Sequence, residues 1–144
     1  MSTQLAILNA VKAVLDAASP ALGLSVYVKK QFLVGKDEAP CVIVTPNKTV
    51  VREQQYHNVI WYGYVIDFAV IQPGNRLINT TLDDVDPYVD RIAGLLHTSS
   101  LSGVSSVWDT DYIPGSSFQV RGLMENYDRS DFQIVFYTSE PRQS

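Results

Sequence analysis

The sequence predicts an α+β fold, two helices packed on a mostly antiparallel sheet, and three observations lead there. Two segments repeat apolar residues at helical spacing, one at the N-terminus and one ending near His97. Several short runs rich in β-branched and aromatic residues lie between and after them. Turn chemistry separates those runs, and no internal repeat, low-complexity tract or linker divides the chain. The 144 residues suit one domain spanning 1–144, with 139–144 as a polar C-terminal tail.

The first helix is expected over Thr3–Ala18. Leu5, Leu8, Val11 and Leu15 form its stripe, widened by Ile7, Val14 and Ala18. Ser2 or Thr3 can cap its start. Ser19-Pro20 is expected to end it, because the residue before proline disfavours the helical region. Leu24–Lys30 is a short strand, and Gly35-Lys36-Asp37-Glu38 a loop. Cys41–Thr45 is a β-branched run of buried type. Pro46-Asn47-Lys48 then reads as a turn before a strand at Val50–Gln55.

Val59–Ile71 is the strongest strand, ~43 Å long at ~3.3 Å per residue. Its even positions are Ile60, Tyr62, Tyr64, Ile66, Phe68 and Val70, and its odd positions include Trp61, Val65, Ala69 and Ile71. Both faces are largely apolar. One can lie on the helices, and the other is expected to be covered by a neighbouring subunit, or else by helices of the same chain. Gln72-Pro73-Gly74-Asn75 ends the strand. The second helix carries Leu82, Val85, Val89, Ile92 and Leu96. It is expected to run from about Thr81, although Asp86 could cap it with Pro87 as its first residue. Strands at Val104–Tyr112, Phe118–Leu123 and Asp131–Thr138 follow, the first two joined by Ile113-Pro114-Gly115-Ser116-Ser117.

Charged residues make up only 18% of the chain, below the ~25% of an average soluble domain. A net charge of −4 argues against a general nucleic-acid binder. Residues 1–79 hold seven basic and five acidic side chains, a balance of +2, whereas 80–144 hold four and ten, a balance of −6. That asymmetry fits an acidic helix start, or a polar subunit that stacks head to tail. Cys41 stands alone and reads as a small buried strand residue, in keeping with a reducing compartment. No segment resembles a signal peptide, and Asn9, Lys12 and Asp16 interrupt the N-terminal apolar run, so no membrane association is expected.

No constellation for catalysis emerges. His57 lies in a polar turn and His97 at a helix C-terminus, where it suits the dipole. One cysteine and two scattered histidines make no zinc spacing, so no metal or other cofactor is expected. Asp83, Asp84, Asp86 and Asp90 lack a calcium-loop pattern and read as a solvated helix start. Ser99-Ser100-Leu101-Ser102-Gly103 is no nucleophile elbow, and there is no phosphate loop. Asp67, embedded in the long strand, is expected to pair with Arg121 or Arg52, or to face solvent.

The order of elements carries a resemblance. An amphipathic helix is followed by a short strand, Ala39-Pro40-Cys41-Val42-Ile43-Val44 and the long aromatic strand. A second helix ends in Gly94-Leu95-Leu96-His97, and the chain closes on Tyr127-Asp128-Arg129-Ser130-Asp131-Phe132-Gln133-Ile134-Val135-Phe136-Tyr137. Over nearly its whole length this resembles the tail terminator and tail-completion proteins of tailed bacteriophages. The resemblance implies a non-enzymatic virion protein of the head–tail neck, assembled in the host cytoplasm. It implies a ring, of six copies, that caps the tail tube, stops its polymerisation and meets the head connector or head-completion protein. DNA would pass through its lumen without sequence-specific contact and without any cofactor. Another tail, baseplate or head-completion part is the alternative, followed by a small ligand-binding domain or enzyme.

A ring subunit needs two different adhesive edges. Trp61, Tyr62, Tyr64, Asp67, Phe132 and Phe136 are therefore expected at subunit contacts. Trp108, Tyr112, Ile113 and Pro114 are expected to meet the next ring, tube or connector. Asp109 and Asp111 share a strand face and are expected to line the lumen.

Overall fold

The computed structural model describes residues 3–28, 40–56, 59–73, 86–97, 107–121 and 126–141. Among the described residues two helices, α1 (Thr3–Leu22) and α2 (Asp86–His97), accompany five strands. These are β1 (Ser25–Val28), β2 (Cys41–Tyr56), β3 (Val59–Pro73), β4 (Val107–Arg121) and β5 (Asn126–Pro141). They form one sheet in the order β1-β2-β3-β5-β4, in which only β1 and β2 run parallel. The fold is α+β, as expected.

Strand alternation sorts the side chains. Val42, Val44, Tyr64, Ile66, Phe68, Val70, Phe132, Ile134 and Phe136 point to the helices and pack with Ile7, Leu8, Val11 and Leu15 of α1 and Val89, Ile92 and Leu96 of α2. By length and composition α1 would pass for a membrane span, yet this stripe lies in the core. Phe68 and Phe132 are direct cross-strand partners whose rings stack at 4.9 Å and 6°. Such pairs add to sheet stability beyond their buried area. β3 and β5 pair without a register break from Val59↔Pro141 to Pro73↔Tyr127 and form the spine of the sheet.

The opposite face is buried too. Cys41, Ile43, Ala69 and Ile71 cluster there with Tyr27, and Val65 and Val135 are also buried. The expectation that this face of Val59–Ile71 requires a second subunit therefore fails for Val65, Ala69 and Ile71, which one chain already removes from water.

Prolines account for most other departures from the expected elements. α1 continues through Pro20 to Leu22. Gly23, at φ 73°, closes it with its N–H donated to the Ser19 carbonyl at 2.8 Å, a left-handed cap. The expected turn at Pro46 is a bulge inside a single strand β2, with a register shift between Pro46 and Thr49. Beyond Val44, β2 has no outer strand partner among the described residues, so Pro46 sits where a missing N–H is tolerated. Ile113–Ser117 is likewise no loop but part of β4, bulged between Pro114 and Ser117. β5 extends through Pro141, so 139–141 belong to the sheet rather than to a polar tail. The loop at 35–38, the helix start at 79–85, the turn at 74–75, His57 and the serine run 99–103 lie outside the described residues.

Candidate interaction surface

Among the described residues β4 is an edge strand, and the middle of β4 is exposed. Asp111, Tyr112, Ile113, Pro114, Gly115 and Ser116 are all exposed, with Tyr112 38% and Ile113 41% accessible. Val107 and Thr110 are buried and anchor the strand. The Tyr112 ring lies 5.7 Å from that of Phe132 at 54°, so one of its sides rests on the core. Asp109 accepts the Thr110 backbone N–H at 2.9 Å, and Asp111 accepts the Tyr137 hydroxyl at 2.8 Å.

Gly115 makes the bulge possible. A Cβ there would lie 2.0 Å from the Asp131 carbonyl oxygen, so the β4 backbone can approach β5 this closely only without a side chain. The bulge opens a cavity of about 240 Å³, whose lining includes Asp67, Ile113, Ser116, Asp131 and Gln133. Arg129 Nε donates to Asp131 Oδ1 at 2.7 Å.

Asp67 is not paired in the expected way. Asn47 Nδ2 donates to both of its oxygens, at 3.1 and 2.9 Å, and Gln133 Nε2 donates to Oδ1 at 2.7 Å. The β2 bulge after Pro46 delivers Asn47, and the register sets Gln133 directly beside Asp67. Two amides thus meet a half-buried carboxylate that remains partly hydrated, which removes the need for Arg121 or Arg52. Asp67→Ala is expected to cost about 1–2 kcal/mol in urea unfolding, since it strips three hydrogen bonds to a charged group. Asp67→Asn, which keeps one acceptor, should cost less. Equal stability for wild type and Asp67→Ala would show the cluster to be incidental.

The other site expectations divide clearly. Tyr64, Phe132 and Phe136 are core residues, the last fully buried, so none of them offers a surface to another subunit. Their aromatic alternation reflects packing on α1 and α2. Tyr62 is half-buried and rests on the same core, 6.3 Å from Tyr64 between ring centres. Trp61 stands opposite Arg52 and Ser139 in the register. The side chains of Trp61 and Trp108 are not among the described ones. Asp109, Asp111, Tyr112, Ile113 and Pro114, assigned by sequence to two different roles, come together on one edge. Sequence reasoning missed Asn47 and Gln133 as partners of Asp67, because only the bulge and the β3–β5 register bring them there.

Among the described residues no three His, Cys, Asp or Glu side chains gather as a ligand set. No protein-family model matches the chain, and no curated protein matches it either.

Proposed function

We propose that the chain is a structural subunit of a tailed-phage neck, building a ring that caps the tail tube, ends its polymerisation and joins it to the head connector. The observation that carries this reading is the order of elements along the chain. An N-terminal amphipathic helix, a short strand, the Ala39-Pro40 lead into β2, the aromatic β3, a second helix and the closing Tyr127–Tyr137 strand succeed one another as in tail-completion proteins. The fold supports the reading by assembling those elements into one sheet with the helices on one face. The exposed edge of β4 supports it as an adhesive surface. In this role the protein works by contact and needs no catalytic group.

The test is electron microscopy of particles produced without this protein. Tails of uncontrolled length, or filled heads and finished tails that fail to join, are the expected result. Normal infectious particles would overturn the proposal.

A further inference from the structure

α1 is more apolar than its own core contacts require. An 18-residue window of it has a mean hydropathy of 1.4, yet only 33% of that window is buried. Leu5, Asn9, Ala13 and Ala17 follow one another at four-residue steps and are all exposed, so they share the face turned away from the sheet. Lys12 and Asp16 flank that face. They form an ion pair at 2.6 Å and still leave 43% and 47% of their side chains accessible, so each can also meet a charge from outside. Two charges in the middle of the helix suit a protein surface and oppose burial in a bilayer.

A groove of about 620 Å³ runs between the end of α1 and α2. Ala18, Ala21, Gly94 and Leu95 line it, with Asp90 and Arg91 beside them. Asp90 and Arg91 are exposed, and no side chain among the described residues pairs with either. Gly94 points to an incoming partner. Glycine weakens a helix relative to alanine, and nothing within the fold calls for it here. The residue lies inside α2 without a positive φ, and an added Cβ would meet no atom within 4 Å. The open space above it belongs to the groove, where a side chain would hold off whatever enters.

We infer that the exposed α1 face of one copy of this chain docks in the α1–α2 groove of the next. Ala13 and Ala17 then approach Ala18, Ala21 and Gly94, small residues that allow two helices to pack closely. Lys12 meets the neighbour's unpaired Asp90, and Asp16 its Arg91, which sets the direction of the contact. Face and groove are different surfaces of one molecule, so the contact is head-to-tail and repeats until rotation closes it. This inference rests on the ring reading and names the surface that closes the ring.

The full chain is tested by native mass spectrometry and sedimentation over a range of concentrations, alone and with assembled tail tubes. Three variants are compared with wild type: Gly94→Leu, the exchange Lys12→Asp with Asp16→Lys, and the exchange Asp90→Arg with Arg91→Asp. Each is expected to weaken assembly about tenfold or more, and the two exchanges combined to restore most of it. Thermal unfolding checks the fold, and Gly94→Leu should unfold no earlier than wild type, because leucine favours a helix more than glycine does. Cross-linking gives a second readout, since native Cys41 is buried. Chains carrying Ala13→Cys, mixed before assembly with chains carrying Gly94→Cys, are expected to form a disulfide that neither forms alone. Rings of undiminished strength in all three variants, or mixtures that give no cross-link, would overturn the helix contact and leave the ring standing. A chain that stays monomeric even on tail tubes, or that floats with phospholipid vesicles instead of assembling, would overturn both.

Discussion

Replacing Phe132 by alanine is expected to lower the unfolding free energy by about 3–5 kcal/mol, the usual range for emptying a buried aromatic site. Phe132 is only 2% exposed and sits opposite Phe68 on the helix-facing side of the β3–β5 spine. Its ring stacks on Phe68 and supports Tyr112 from β4, so its loss opens a cavity where three strands meet. Neither neighbour can close the gap easily, because Phe68 is itself fully enclosed between the sheet and the helices. Phe132→Leu keeps most of the volume and should cost less than half as much. Urea unfolding measures both. A loss under about 1 kcal/mol for the alanine variant would contradict the core position and reopen the surface role that the sequence suggested.

Gly115→Ala carries the second large effect. Overpacking commonly costs about 1–3 kcal/mol, and this substitution belongs at or above the top of that range. The added methyl would meet the Asp131 carbonyl at 2.0 Å, and a backbone oxygen cannot swing aside as a flexible side chain can. Relief requires β4 to separate from β5 around the bulge, which also displaces Ile113 and Ser116 from the cavity rim. Gly63 offers the instructive contrast. A Cβ there would come within 2.9 Å of the Val135 and Val50 methyl groups, which can shift, so Gly63→Ala should cost less than Gly115→Ala. Thermal unfolding of the two variants in parallel tests that order, and a smaller loss for Gly115→Ala would refute the account of the bulge.

Periodicity carried much of the architecture. The α1 stripe through Leu8, Val11 and Leu15 is buried as its spacing implies, although Leu5 at its start remains 45% exposed. The stripe is centred nearer Ile7 and Val11, which turns Leu5 toward solvent. β3 was legible because aromatic and β-branched residues dominate Val59 to Ile71, interrupted only by Gly63, Asp67 and Ala69. Proline was the main source of error. Pro20, Pro46 and Pro114 each report a fixed φ and a missing N–H, but not whether the chain resumes its direction afterwards. At Pro20 the helix was already in its last turn, and at Pro46 and Pro114 the strand has no outer strand partner among the described residues.

The site was less legible for a related reason. Alternating aromatics in β3 and β5 look alike whether they face a core or a partner, and only the position of the helices separates the cases. Tyr64, Phe132 and Phe136 thus pass from expected contacts to core. The exposed residues of β4 were divided by sequence between two roles, and their union on one strand depends on Ile113–Ser117 being a bulge rather than a loop.

The central claim is that this chain acts as a neck component through its contacts. Imaging a labelled copy in intact particles by electron microscopy tests it most directly. The account predicts a closed ring of label at the junction of tail tube and head. Label spread along the tube, confined to the far tip or absent from the particle would contradict it.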